Sequence, residues 1–365
     1  MNKIPFMDLT IDSHEKEDIL AAIDRVLSHG RLILGPEVDE FERKMAHACS
    51  RKYGIGVGSG TDALILALRA LDIGRGDEVI TSAYSWIATA NAIALAGAKP
   101  VFADTSPDLT IDPKTIEGLI TPATKAILAV DYAGKLCEAD ALMDISEKYG
   151  LIVIEDASQA YGAHYNGIKA GQYGMLSCIS LNPMKNLGGI GEAGIILTDT
   201  EKLRNRLISL RYNGMIDKSV CKTPSHNGRL DTVQAAVLLK RMESHETRQK
   251  IRCKNARIYN DIFSTSNVIV PEVRPNERHV YFSYIIKLEN RDHIFQTLSD
   301  LGIECKIRDS DYLPMQPAYH DYKHDAEWCR SNYEKLIVLP ISEVLSGLQA
   351  AKVANHIVQL TGKPT

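Results

Sequence analysis

The chain has 365 residues, 45% hydrophobic and 24% charged, an ordinary balance for a folded protein with one large and one smaller domain. A formal charge of −4 leaves no basic excess for a nucleic-acid backbone, and the longest apolar run, "AIALAGA", is far too short to span a bilayer. Seven scattered cysteines without a CxxC pair, and an N-terminus that turns acidic with no apolar signal core, lead us to expect a reduced, cytoplasmic protein with no metal, no membrane and no nucleic-acid partner.

Two helical segments open the chain, "SHEKEDILAAIDRVLSHG" and "VDEFERKMAHACSRKYG", around a loop "RLILGPE" that packs on the body or on a partner. From about Gly54 to Thr198 short β-branched runs alternate with helical stretches. "YGIGVGS" reads as a strand, and "TDALILALRALDI" has the i, i+3, i+4 apolar spacing of a packed helix. "DEVITSA", the helical "IATANAIALAGA" and "PVFADT" follow. "DPKTIEGLI" reads as a helix with Asp112 as N-cap and Pro113 in its first turn. "KAILAVDY", the helix "ADALMDISEKYG" closing on Gly150, and "LIVIEDAS" continue the alternation, and "MLSCISLN" and "AGIILTD" supply two further strands. This pattern predicts a mainly parallel sheet covered on both faces. Beyond it come the helical "EKLRNRLISLRYNG", the long charged helix starting at "TVQAAVLLKRMES", and a mixed segment from about residue 266 to a closing helix "LQAAKVANHIVQL". The expected division is residues 1–240, the N-terminal helices and large α/β domain, and 241–365, the long helix and a small α+β domain.

In open α/β sheets ligands sit at the carboxyl ends of strands, and three segments qualify. In "GVGSGTDAL" a small-residue turn enters a helix near Thr61, where backbone N–H groups and a hydroxyl make an anion site. Alone, such a turn is weak evidence, and it is neither a Walker loop nor a GxGxxG fingerprint. In "LIVIEDASQAYGA", Asp156 ends an apolar run; it is either a helix cap or a buried carboxylate with a cationic partner. In "SLNPMKNLGGIGEAG", Lys185 follows a strand and precedes glycines. By itself it is balanced between a solvated loop lysine and a desolvated amine able to join a carbonyl. Together the three supply what pyridoxal 5′-phosphate chemistry needs: an aldehyde-holding lysine, a carboxylate for the ring nitrogen and a phosphate cradle, with Trp86 as either a ring cover or core bulk.

At this point the chain resembles the DegT/StrS-type sugar aminotransferases, pyridoxal-phosphate enzymes of the aspartate-aminotransferase fold (fold type I). The resemblance covers nearly the whole chain and rests on "LILGPEVDEFE", "GVGSGTDALILAL", "GDEVIT", "WIATANAI", "TKAILAVDYAG", "VIEDASQAYGA", "SLNPMKNLGGIGEAG", "NGRLDTVQAA" and "MQPAY", in that order. It implies that Lys185 is the Schiff-base lysine and Asp156 the partner of the pyridine nitrogen. Gly60, Thr61 and Ser180 would hold the phosphate, Trp86 would stack on the ring, and Gln159 would lie near its hydroxyl. Asn227 in "HNGRLD" would reach the cofactor of a neighbouring subunit, making a homodimer with shared active sites.

The resemblance further implies amino transfer from L-glutamate to a keto sugar, most economically a nucleotide-linked 3- or 4-keto-deoxyhexose destined for surface glycans. One stretch departs from the family pattern: "IRDSDYLPMQPAY" stands where relatives often carry His-Tyr-Pro and Pro-Leu-His. That makes Arg308 and Tyr312 candidates on the substrate side, and leaves open a small phosphorylated ketone or a non-nucleotide sugar as acceptor. Lys135 in "VDYAGK" is either a contact for an anionic substrate group or a solvated loop lysine. A dehydratase relative is disfavoured because Lys185 is present. A regulator that binds the cofactor without turnover is disfavoured by the intact lysine, carboxylate and phosphate residues.

Overall fold

The computed structural model describes residues 3–217, 219–307 and 311–361. Its centre is an eight-stranded sheet in the order Tyr53–Val57, Gly194–Thr198, Leu176–Ser180, Ile152–Asp156, Thr124–Val130, Glu78–Ser82, Lys99–Ala103 and His324–Asp325. Gly194–Thr198 is antiparallel to both neighbours and all the other pairings are parallel, so seven strands point the same way. The β-branched runs form these strands because helices bury both faces. One face packs Val57, Leu66, Phe102, Leu128 and Ile154 together, and the other packs Ile80, Val101, Ile127, Leu142 and Val153.

The helices Ser13–His29, Gly60–Ala70 and Ala139–Tyr149 fall where their apolar spacing puts them. Asp12 caps the first by accepting the amide of Glu15, and Gly30 ends it at φ +71°. The helix expected in "DPKTIEGLI" is instead two short 3₁₀ turns, Pro113–Thr115 and Glu117–Leu119. Asp112 does cap the first, but Gly118 weakens an α-helix there and Ile120 is already extended, at ψ 133°.

The chain then runs through Glu201–Leu210 into a 32-residue helix, Thr232–Phe263. This helix passes unbroken through residue 240, the expected division, and joins the large sheet to a second core. That core gathers Tyr259, Phe263, Tyr284, Ile286, Ile294, Leu298 and Val353 around a two-stranded sheet of Tyr284–Lys287 and Leu336–Leu339. The two-residue edge strand His324–Asp325 extends the main sheet from this later part of the chain, an addition with no periodicity to announce it.

Candidate active site

Sheet register decides what meets at the carboxyl ends of the strands. Gly194 pairs with both Val57 and Ser180, and Asp156 pairs with both Val130 and Cys178. The loops following Val57, Asp156 and Ser180 therefore open on one place, a cavity of about 550 Å³. Gly60, Thr61, Trp86, Asp156, Gln159, Ser180 and Lys185 all line it.

Asp156 is 5% exposed and accepts the amide of Ser158 at 3.1 Å. Burial pushes its pKa up, against the pull of Ser158 and of the Lys185 ammonium. Such a carboxylate gains most from a cation placed against it. Lys185 stands on a tight turn: its amide donates to the carbonyl of Asn182 at 2.9 Å, and Gly189 donates to Leu181 at 2.8 Å. Gly188 has to be glycine, because a Cβ would lie 2.6 Å from the carbonyl oxygen of Asn182. The Lys185 Nζ sits 4.6 Å from the centre of the Phe282 ring.

The anion cradle is built by close approach. Ser59 caps the helix Gly60–Ala70, its hydroxyl accepting the amide of Asp62 at 3.0 Å. A Cβ on Gly60 would meet the Cβ of Ser180 at 2.5 Å, so glycine alone lets the helix N-terminus stand beside the Ser180 hydroxyl. Gln159 is fixed by accepting the amide of Ala133 at 2.7 Å. Trp86 is 59% exposed after the short strand Tyr84–Ser85, with its ring at the cavity wall.

Other expected residues stand elsewhere. Lys135 does not line the cavity; it is 2% exposed, with its Nζ 3.1 Å from Asp108, 3.5 Å from Glu277 and 2.9 Å from the carbonyl of Glu272. It is not a solvated loop lysine: it is buried, and two carboxylates hold its charge. Tyr312 is buried, stacked on Tyr333 and paired through its backbone with Tyr84, away from the lining. Asn227 is exposed on a bridge to Tyr212 and is not part of the lining either. Arg308 lies outside the described residues.

Several lining residues were not singled out in the sequence, and two of them, Phe282 and Lys306, come from outside every motif the resemblance rests on. No motif marks them, since they come from the chain beyond the long helix and reach the cavity only through folding. The long helix fixes both the lysine turn and the Phe282 segment. Arg241 donates to the carbonyls of Gly188 at 2.7 Å and Gly189 at 2.9 Å, while Gln249 donates to Val280 at 2.7 Å. Arg252 reaches the carbonyls of Tyr281 and Phe282 and pairs with Glu343.

A mainly parallel α/β sheet with a lysine, a buried carboxylate and a glycine-shaped helix N-terminus around one cavity defines a pyridoxal-phosphate transaminase of the aspartate-aminotransferase type. Comparison with known proteins agrees and narrows the class. Residues 13–358 match the DegT/DnrJ/EryC1/StrS aminotransferase family, and the chain belongs to it. It is 38% identical to the UDP-2-acetamido-2-deoxy-3-oxo-D-glucuronate aminotransferase of Pseudomonas aeruginosa, over 88% of this chain and 90% of that protein. It is 35% identical to the 3-oxo-glucose-6-phosphate:glutamate aminotransferase of Bacillus subtilis, over 84% of this chain and 71% of that protein. The crystal structure of NtdA from Bacillus subtilis with bound cofactor PMP superimposes with a TM-score of 0.90 at 30% identity, covering 98% of this chain and 86% of that one.

Proposed function

We propose that this transaminase moves an amino group from L-glutamate to a keto sugar carried on a nucleotide, with Lys185 and Asp156 as its catalytic pair. The observation that carries the residue assignment is the convergence of Lys185, Asp156, Gly60, Thr61, Ser180, Gln159 and Trp86 on one cavity. The relative acting on a UDP-linked 3-oxo sugar supports the acceptor, and the glutamate-dependent relative supports the donor. The latter's printed substrate, a sugar phosphate, keeps a non-nucleotide acceptor as the second reading.

The residues present fit the cofactor. The absent Cβ of Gly60 brings the helix N-terminus and Ser180 together on one wall of the cavity, where a phosphate would meet both, and the buried Asp156 carboxylate suits a protonated ring nitrogen. When bound, pyridoxal phosphate supplies an aldehyde that holds the amine and an electron-withdrawing ring that accepts charge from the neighbouring carbon. Gly60 and Thr61 amides with the Ser180 hydroxyl would hold the phosphate, and the positive end of the helix dipole would favour it. Asp156 would stand as a carboxylate against the protonated ring nitrogen, where burial strengthens the interaction. Lys185 would hold the cofactor through Nζ, and once the donor amine takes its place the freed amine would stand as general base for the proton on the donor's α-carbon. Phe282 keeps water from one side of that amine.

The same reading makes the protein a homodimer. Asn227 is exposed and stands apart from its own cavity, as a residue serving a neighbouring subunit must. Exposed Trp86, Met184 and Ile190 near the lysine turn, with Leu32 and Ile33, offer apolar surface to a second copy. Cytoplasmic residence belongs to this reading too; among the described residues no helix is long and apolar enough to cross a membrane.

The deciding experiment uses Lys185→Ala. Purified protein should show the absorbance of lysine-linked cofactor and form amino sugar only when glutamate and a keto-sugar nucleotide are both supplied. The variant should lose both, and an unchanged spectrum would refute the assignment.

A further inference from the structure

The cofactor, as placed above, leaves one carboxylate of the cavity wall without a task. Among the described lining residues the carboxylates are Asp156 and Glu192, and Asp156 answers the ring nitrogen. We infer that Glu192, held in place by Asn182, accepts hydroxyl groups of the acceptor's sugar ring, so that it serves the sugar half of the reaction and not the glutamate half. The inference rests on the reading of the cavity as a glutamate and keto-sugar site.

The loop that carries Glu192 is clamped along its length. Arg241 donates to the carbonyls of Gly188 and Gly189, the amide of Ile190 donates to the side-chain oxygen of Gln234 at 3.0 Å, and the carbonyl of Ala193 accepts the amide of Leu181 at 2.8 Å. Gly191 is needed for the Gln234 clamp, because a Cβ there would lie 2.6 Å from the Gln234 amide nitrogen. The side chain is fixed as well. Asn182 donates its Nδ2 to Glu192 Oε1 at 2.6 Å, and Asn182 is oriented in turn by accepting the amide of Met184 on its Oδ1 at 3.0 Å. Asn182 lines the cavity beside it. A carboxylate can accept about four hydrogen bonds on its two oxygens, so the bond from Asn182 orders the group without filling it. An acceptor ordered in advance loses less freedom when a ligand arrives.

Charge decides what such a group can meet. The carboxylates of glutamate and the diphosphate of a nucleotide are both repelled by it. The donor's amine is bound for the carbon that Lys185 holds. What remains is the uncharged, hydroxyl-bearing ring of the acceptor, and an O–H donor on a carboxylate makes a short, strong hydrogen bond.

The test takes holoenzyme and the variants Glu192→Gln and Glu192→Ala through the two half-reactions separately, by single turnover. Lysine-linked enzyme is mixed with glutamate, and enzyme carrying the cofactor in its amine form is mixed with UDP- and dTDP-linked 3- and 4-keto sugars. Glu192→Gln keeps the shape and can still accept from Asn182, but loses the charge, so half-saturation by the keto sugar should need roughly 5- to 10-fold more of it. Glu192→Ala should need roughly 10- to 100-fold more. The glutamate half-reaction should stay within twofold of the parent in both. A keto sugar lacking the contacted hydroxyl should saturate the parent and Glu192→Gln alike. Unchanged keto-sugar saturation in Glu192→Gln overturns the inference, and this variant decides alone if Glu192→Ala does not fold. An equal or larger loss in the glutamate half-reaction also overturns it, since Glu192 would then support the lysine turn or touch the donor. A parent that reacts with glutamate but with no nucleotide-linked sugar sinks the nucleotide reading instead, and the variants are then compared on 3-oxo-glucose 6-phosphate, the sugar named for the Bacillus subtilis relative. If that sugar is refused too, the keto-sugar reading and the inference fall together.

Discussion

Two lysines, each just beyond a strand of the same sheet, have opposite fates. Lys185 sits on the turn after Leu176–Ser180, in an open cavity, beneath an aromatic ring and within the field of a buried carboxylate. Lys135 sits on the loop after Thr124–Val130 and is more deeply buried, yet Asp108 and Glu277 lie within 3.5 Å of its Nζ. Burial alone therefore does not mark a reactive amine. The distinction is position: Lys135 is enclosed between two carboxylates, whereas Lys185 stands on the wall of a cavity that a ligand can enter.

The comparison can be broken at four points, beginning with the largest effect. Asp156→Asn removes the charge that answers the ring nitrogen, and should lower the glutamate half-reaction by roughly 10²–10³-fold, the scale of losing one preorganised charge contact. Single-turnover kinetics measures this, and because burial already works against the Asp156 anion, the melting temperature should hold. Lys135→Met does the reverse. Stripping a buried carboxylate of its cation costs about 3–5 kcal/mol, to be seen in urea unfolding, with glutamate affinity kept in the folded fraction. A stable variant with weakened substrate binding would return Lys135 to the substrate side.

Gly60→Ala is the third. The new methyl must displace Ser180, so cofactor should dissociate roughly 10- to 100-fold more readily, equivalent to about 1–3 kcal/mol lost to overpacking, as followed by dialysis and absorbance. The smallest effect concerns the base of the Lys135 loop. Burial pushes Asp131 up to about 6 and raises Glu155 as well, so the folded pair keeps a proton that the unfolded chain has already released. Stability should therefore fall as pH climbs from the ordinary carboxylate range through about 6. In Glu155→Gln that slope should flatten, as urea midpoints at several pH values would record.

Much of this was legible in the sequence, for a definite reason. Alternating β-branched and helical runs predict a covered parallel sheet, and such a sheet gathers its strand-end loops at one edge. Asp156, Lys185 and the Gly60 turn could therefore be put together without coordinates. What could not be read depends on contacts between distant segments. Phe282 and Lys306 reach the cavity from beyond the long helix, and the partners of Lys135 lie 27 residues before it at Asp108 and 142 after it at Glu277. The "DPKTIEGLI" segment forms 3₁₀ turns although its cap, proline and apolar spacing suit an α-helix equally, and Gly118 is the one residue in it that speaks against the α form.

The long helix Thr232–Phe263 acts as a ruler. Arg241 holds the lysine turn and Gln249 and Arg252 hold the Phe282 segment, and the first two of these grips are separated by roughly 12 Å of helix axis. One residue inserted between them would swing every later side chain by about 100° and pull Phe282 off the amine, although neither site had been touched. The distance between the two halves of the active site is thus written as a residue count. Drift can rewrite the letters of that stretch more freely than it can change its length.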